Sequence, residues 1–165
     1  MAWELPFLAD YGVNTQHAYL KENSAGIAAY AHKIAGVHGD HHPQVKEIAE
    51  IFDKIAADLA LHLREEEEFL CPAIRKMVAP EKEGASPAAG VVEALKAKLV
   101  ALSHEHDEIG AAIHEIHRLS KEYAISDDVC NTFLVTYQRL KEFEDDLPKH
   151  VHLENNILFP KAAKL

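Results

Sequence analysis

Two His–Glu pairs have the spacing that lets one helix offer two ligands to the same ion. His62 precedes Glu66, and His150 precedes Glu154, by four residues in each case. Residues four apart lie one turn apart on the same face of an α-helix. Both glutamates fall within apolar stripes, where an unpaired carboxylate is costly or must be protonated. No Lys or Arg falls on these stripes near the two glutamates, so we expect cations bound in the core to neutralise them.

Two further histidines, His17 and His106, lie on the apolar faces of two other predicted helices. Counted from the predicted turns at about 1.5 Å per residue, the four core histidines fall near one level of an antiparallel bundle. A single histidine on an apolar face is more often a hydrogen-bonded core residue than a ligand. The coincidence of six positions instead predicts a metal site, with the ligands His17, His62, Glu66, His106, His150 and Glu154.

This ligand set restricts the choice of metal. Four imidazoles and two carboxylates are too many for one tetrahedral zinc ion, although zinc binding in vitro stays open. Mixed nitrogen and oxygen ligation with bridging carboxylates suits two iron or manganese ions. Asp58, Asp146 and Glu105 lie close to ligand histidines in sequence. They are candidates to orient those imidazoles, or equally to be solvated surface carboxylates.

The remaining histidines, acids and cysteines have simpler interpretations. Helical angles turn His104 and His152 away from the core and make Glu65, Glu67 and Glu68 a solvated face. His117 is expected to be a hydrogen-bonded core residue. Three histidines in the first predicted turn are expected to be surface residues or a weak metal-capture site, and they are His38, His41 and His42. Cys71 and Cys130 are expected to be small buried apolar residues.

Four stretches with helical periodicity must position these side chains. They cover residues 10–35, 43–77, 89–123 and a fourth stretch, capped by Ser126 or Asp127, that ends near residue 159. A loop containing Pro80, Gly84 and Pro87 separates the second stretch from the third. Short connections favour an all-α, up-down-up-down four-helix bundle. The chain of 165 residues is expected to form one domain over residues 1–165, with the bundle over about 10–160.

Composition excludes several classes of partner. The formal net charge of −10 argues against nucleic acid, which requires a basic face. No apolar run approaches the ~20 residues of a membrane span, and Met1 is not followed by a signal-peptide pattern. The two cysteines are far apart and suit a reducing compartment. A cytoplasmic location is the expectation.

Five motifs occur in an order that is distinctive. They are D-Y-G-V-N-T-Q-H from Asp10, K-I-A-G-V-H-G-D-H-H-P from Lys33, H-L-R-E-E-E from His62, H-E-H-D-E-I-G from His104 and H-V-H-L-E-N-N-I-L-F-P from His150. Together they resemble the hemerythrin-like domain of the di-iron iron-sulfur cluster repair family. The resemblance implies a hemerythrin-like fold and two non-haem irons, bridged by carboxylates and an oxo or hydroxo group. It implies the same six residues as ligands.

The resemblance also implies a function, which is to bind iron and donate it to damaged or apo iron-sulfur proteins under nitrosative or oxidative stress. Two alternatives stay open. The first is an enzyme that reduces nitric oxide or peroxide at the two irons. The second is a module that senses or stores oxygen or iron, with nitric oxide or oxygen as its small ligand.

The chain departs from the family pattern in two places. Full-length members carry an N-terminal domain with a C-x-x-C motif, whereas nine residues precede Asp10 here, so we expect that domain to be missing. Leu102 stands four residues before His106, where an oxygen-carrying hemerythrin has a second histidine. Reversible oxygen carriage is therefore not the expected function.

Overall fold

The computed structural model describes residues 17–73 and 89–164, together with Phe7, Asp10 and Arg75. Its fold is the predicted all-α four-helix bundle. The long helices and one short C-terminal helix are α1 (Ala18–His38), α2 (Gln44–Glu65), α3 (Ala89–Leu119), α4 (Asn131–His152) and α5 (Phe159–Ala163). Residues 11–16, at the predicted start of the first helix, and the predicted loop within residues 76–88 lie outside the described residues. Within the described helices, none is long and apolar enough to cross a membrane.

Between α1 and the C-terminal helix, in the part of the chain that the structure describes, two segments of π-helix interrupt the α-helical hydrogen bonding. The segment π1 (Glu66–Leu70) follows α2 directly, and π2 (Leu153–Leu158) follows α4. The N–H of Cys71 donates to the carbonyl of Glu66, and the N–H of Phe159 donates to that of Glu154. Each bond spans five residues instead of four, so the turn is wider and the residues that follow are rotated relative to a regular helix.

The chain divides into two compact units, each of which takes segments from all four long helices. The apolar unit contains Leu20–Ala60 and Glu108–Pro148. Its core is built from aliphatic and aromatic side chains at helical spacing, and the rings of Phe52 and Phe143 meet edge to face with 5.3 Å between centroids. Other buried side chains of this unit are Ile27, Ile34, Val45, Ile48, Ile113, Ile116 and Leu140.

The second unit, here called the metal unit, contains Met1–Tyr19, Leu61–Asp107 and Lys149–Leu165. Its buried interior mixes apolar residues with histidine and with glutamate, and glutamate is almost never fully buried without a partner. The apolar members among its described residues are Leu63, Leu70, Cys71, Leu95, Leu99, Leu102, Leu153 and Phe159. The prediction of one domain over the whole chain stays a prediction.

A left-handed turn ends α3 earlier than predicted. Lys121, Glu122 and Tyr123 have φ angles of 53°, 59° and 61°, a conformation that costs about 1–2 kcal/mol for each non-glycine residue. The N–H of Tyr123 donates to Oγ of Ser120 across 3.0 Å, and its hydroxyl donates to Glu144. These hydrogen bonds hold the turn in place and stop the helix at Leu119.

The start of α4 also differs from the prediction. The N–H of Leu134 donates to the carbonyl of Cys130 across 3.2 Å, so Cys130 occupies the cap position that was expected at Ser126 or Asp127. The hydroxyl of Ser126 instead donates to Oδ1 of Asp128 across 2.5 Å. At a helix start the Cys130 side chain is exposed, and the prediction that it is buried was wrong.

Candidate metal centre

The structure brings together the six side chains that were predicted to bind metal. Each is between 1% and 4% exposed: His17, His62, Glu66, His106, His150 and Glu154. Ligand atoms of five of them lie within 4.8 Å of one another, with His17 outside that set. We count His17 as part of the centre because its Nε2 lies 2.8 Å from Oε2 of Glu66. Their role as ligands stays a prediction.

Glu66 directs its two carboxylate oxygens to different histidines. Oε2 lies 2.8 Å from Nε2 of His17, and Oε1 lies 2.6 Å from Nε2 of His62. The two histidines come from opposite sides of this carboxylate, one from the residue before α1 and one from α2. A carboxylate with one oxygen on each side has the form of a bridging ligand.

Glu154 is arranged in the same way. Its Oε1 lies 2.9 Å from Nε2 of His150 and 3.5 Å from Nε2 of His17. Its Oε2 lies 2.6 Å from Nε2 of His106 and 3.7 Å from Nε2 of His62. The histidines therefore form two pairs, with ring centroids 5.2 Å apart for His17 and His150 and 4.6 Å apart for His62 and His106. Each pair is served by one oxygen of each glutamate.

Several buried polar atoms of this cluster lack a hydrogen bond. They are both oxygens of Glu66, Oε2 of Glu154 and both ring nitrogens of His150. Short N···O distances coexist with this lack of hydrogen bonds because the angles are poor, as expected when lone pairs converge on a shared space. Among the described residues, no Lys or Arg forms an ion pair with Glu66 or Glu154. Unsatisfied oxygens and nitrogens around a common space fit a cation.

Without a metal, three imidazoles of this cluster hold a proton more tightly than usual. Burial opposes a charge on them, but the short contacts with Glu154 and Glu66 and the negative charge of these carboxylates outweigh it. They raise the pKa of His17 to about 9, of His62 to about 11 and of His106 to about 9. Burial also opposes the charge on Glu154, yet the neighbouring histidines hold its pKa well below the ordinary value. A metal ion must therefore displace protons from these imidazoles.

One predicted orienting carboxylate contacts a ligand imidazole. Nδ1 of His62 donates to Oε2 of Glu105 across 2.6 Å, which fixes the ring and leaves Nε2 free to bind metal. Asp58 is exposed, and Nδ1 of His150 makes no hydrogen bond with Asp146. The sequence neighbourhood of a ligand was thus a poor guide to which carboxylate orients it.

Two orienting residues were not predicted. Nδ1 of His17 lies 3.2 Å from Oε1 of Glu67, although Glu67 had been assigned to a solvated face. Nδ1 of His106 donates to Oδ1 of Asn155 across 3.0 Å, and Oγ of Ser103 donates to the same oxygen across 3.3 Å. Glu67 lies in π1 and Asn155 in π2. The wider π turns rotate both residues inward, which angles counted for a regular α-helix do not capture.

Histidines assigned to other roles lie apart from this cluster of side chains. His104 and His152 are exposed, as predicted, and Nδ1 of His152 pairs with the side-chain amide of Asn156 across 2.9 Å. His117 is half-buried, with Nδ1 at 3.0 Å from Oε1 of Glu144. It is hydrogen-bonded, as predicted, at the edge of the core.

Comparison with known proteins identifies the family. A family model described as the hemerythrin HHE cation binding domain matches residues 9–162. Iron-sulfur cluster repair protein ScdA of Staphylococcus epidermidis is 28% identical over 156 residues, which are 94% of this chain and 66% of the relative. Iron-sulfur cluster repair protein YtfE of Yersinia pseudotuberculosis is 29% identical over 157 residues, or 95% of this chain and 65% of the relative. This chain spans about two thirds of the length of these curated relatives. It belongs to the hemerythrin HHE cation-binding domain family.

Proposed function

We propose that the centre holds two iron ions. The carrying observation is that Glu66 and Glu154 each divide their two oxygens between the same two pairs of histidines. One ion would be bound by His17 and His150 and the other by His62 and His106, with both glutamates as bridges. An oxo or hydroxo group is proposed as a further bridge. When bound, the ions would supply redox chemistry and an affinity for oxygen-donor and small diatomic ligands.

Iron is preferred to other metals for two reasons. The donor set is nitrogen and oxygen without sulfur, since the nearby Cys71 thiol has its pKa raised to about 12 by burial and by the charge of Glu66 and is not a ready thiolate ligand. Manganese suits the same donors, so the preference also rests on the relatives, whose names specify iron-sulfur cluster repair. A single tetrahedral zinc ion would bind only some of the six proposed ligand residues.

The proposed activity is to bind iron and donate it to damaged or apo iron-sulfur proteins under nitrosative or oxidative stress. Support for this activity comes from the names of the relatives, which are iron-sulfur cluster repair proteins. The free thiols of both cysteines fit a cytoplasmic location for this work.

Metal analysis and a transfer assay test this proposal. Protein purified without oxygen is expected to contain two irons per chain, and a single bound zinc with no capacity for iron would contradict it. The reduced protein should pass iron to an apo iron-sulfur protein faster than the oxidised protein, because ferrous iron is held less tightly by carboxylates. If both forms keep their iron while nitric oxide or peroxide is turned over repeatedly, the centre is an enzyme instead of a donor.

A further inference from the structure

The apolar unit holds a second cluster of reactive side chains where the turns at two helix ends meet. Sγ of Cys130 lies 3.1 Å from Nε2 of His38, although the two residues are 92 positions apart in the chain. Beside them, Nε2 of His42 lies 2.9 Å from Oδ2 of Asp128. Cys130 is exposed and His38 is half-buried, so the sulfur is open to small molecules while the imidazole is held in place.

The backbone around Cys130 favours a negative sulfur. Cys130 caps the 22-residue helix α4, and the backbone N–H groups of Thr132 and Phe133 help to lower the pKa of its thiol. These are the unpaired donors at a helix start, where the partial positive charge of the helix dipole is greatest. Both contacts stabilise a thiolate more than a thiol.

His38 lies at the opposite kind of helix end. It is the last residue of α1, and the carbonyl groups at a helix end carry the partial negative charge of the helix dipole. The contact between His38 and Cys130 therefore joins the end of one helix to the start of another.

An aromatic ring positions the imidazole. The His38 ring packs edge to face on Phe133, with 5.3 Å between centroids, and the His42 ring packs on the same side chain at 5.5 Å. Phe133 is buried, at 2% exposure, and is part of α4, as is the helix start that holds the sulfur. The base and the nucleophile thus share one rigid support.

The two cysteines of the chain have opposite acidities. A hydrogen bond from His38, followed by backbone N–H groups, lowers the pKa of Cys130 to about 7. Burial, followed by the charge of Glu66, raises the pKa of Cys71 to about 12. Cys71 is consequently an internal control for any reagent that reacts with thiolates.

We propose that Cys130 and His38 form a nucleophilic pair that reacts with peroxides, so that Cys130 is a site of reversible oxidation. His38 accepts the thiol proton, and the thiolate attacks one peroxide oxygen as the O–O bond breaks. The sulfur loses two electrons and becomes a sulfenic acid, and the peroxide is reduced to water or an alcohol, which takes up the proton from His38. A small thiol can then attack the sulfenic sulfur, release water and form a mixed disulfide. This reaction requires neither metal ion.

The first test measures the reaction of the purified full chain with iodoacetamide, with Cys130 and Cys71 peptides quantified separately by mass spectrometry. Near pH 7 a thiol with a pKa of about 7 is about half ionised, whereas an ordinary thiol is only a few per cent ionised. We expect Cys130 to react about tenfold faster in the native chain than in His38→Gln. His41→Gln changes an exposed histidine of the same turn and should react like the native chain. An unchanged rate in His38→Gln would overturn the proposal.

The second test uses hydrogen peroxide and cumene hydroperoxide in separate arms, with dimedone to trap the sulfenic acid. A cavity of about 410 Å³ borders His42 and Phe133 and includes Leu119 and Ile125, so the bulky peroxide arm asks whether this space admits an apolar group. Dimedone adducts on Cys130 from either peroxide, reduced in His38→Gln, support the proposal. No adduct on Cys130 from either one overturns it.

A pH series separates activation from simple exposure. The titratable groups around Cys130 are His38, His42 and Asp128. We expect the alkylation rate of the native chain to rise with a midpoint near pH 7, and that of His38→Gln to rise at a higher pH, towards the ordinary thiol value of about 8.5. Equal midpoints would contradict activation by His38. Matching thermal unfolding curves for the native chain and the variant establish that both are folded.

Discussion

Nδ1 of His62 donates to Oε2 of Glu105 across 2.6 Å, and Nε2 of the same ring lies 2.6 Å from Oε1 of Glu66. The outer carboxylate increases the basicity of the ring at the position where it would bind metal. We expect Glu105→Gln to keep the fold but to weaken iron binding by about 10–100-fold. Competition with a ferrous chelator measures this change. Asp107→Asn, an exposed position two residues away, should bind iron like the native chain.

The assignment of Glu154 as a bridge can be tested against a neighbour on the same helix. Glu154→Ala removes the two carboxylate oxygens that contact the two histidine pairs. We therefore expect both irons, and any magnetic coupling between them, to be lost together. His152→Ala removes an exposed side chain and should retain both. Iron analysis with Mössbauer spectroscopy distinguishes the two variants. Loss of iron from His152→Ala alone would mean that His152, and not Glu154, faces the metal centre.

Metal binding should release protons. The raised pKa values of His17, His62 and His106 favour protonated imidazoles at pH 7 when no metal is bound. Ferrous iron must displace these protons, so apparent affinity should rise from pH 7 towards pH 9. Titration calorimetry in buffers of different ionisation enthalpy gives the number of protons released. No dependence on the buffer would show that the imidazoles are already neutral.

The same histidines set the pH dependence of the metal-free protein. A folded pKa above the unfolded value stabilises the fold fully at pH values below about 6.5, and this stabilisation is lost as pH rises through about 9. We expect the thermal midpoint of metal-free protein to fall between pH 6 and pH 9.5. Because bound iron replaces those protons, the iron-loaded protein should lose less over that interval.

The apolar unit should depend on its aromatic core. Phe143 is 1% exposed and contacts Phe52 edge to face. Phe143→Ala should destabilise the protein by about 3–5 kcal/mol, measured by denaturant unfolding. Val100→Ala, at a side chain that is 72% exposed, should change the unfolding free energy by less than about 0.5 kcal/mol.

The apolar stripes were predictable because helices with one buried face repeat every 3.6 residues. In the second stretch this spacing selects buried side chains, which are Val45, Ile48, Phe52, Ile55, Leu59, His62, Glu66 and Leu70. The same spacing selects Val92 and Val129 near the starts of the third and fourth stretches, and these two are only half-buried. A stripe predicts burial well in the middle of a helix, where neighbours cover it on all sides, and less well where the helix begins.

The outer hydrogen bonds and the thiol were not predictable from periodicity. Glu67 and Asn155 turn inward because π-helix changes the angle per residue, and nothing in the local composition marks where that change occurs. Cys130 was assigned to the core because cysteine is usually buried. Its cap position and its contact with His38 depend on where α4 begins and on a pairing between distant segments, which helical spacing alone does not specify.

The position of His17 relative to Glu154 gives the metal centre a mechanical consequence. The two residues are 137 positions apart, so ions bound to both would close a loop that contains most of the chain. By comparison with other covalent and metal cross-links, closing so long a loop removes chain entropy worth about 5 kcal/mol from the unfolded state. Bound iron would then cross-link the start of α1 to π2, and loss of the iron would remove this cross-link. A protein that gives up its iron would thereby become easier to unfold and to degrade.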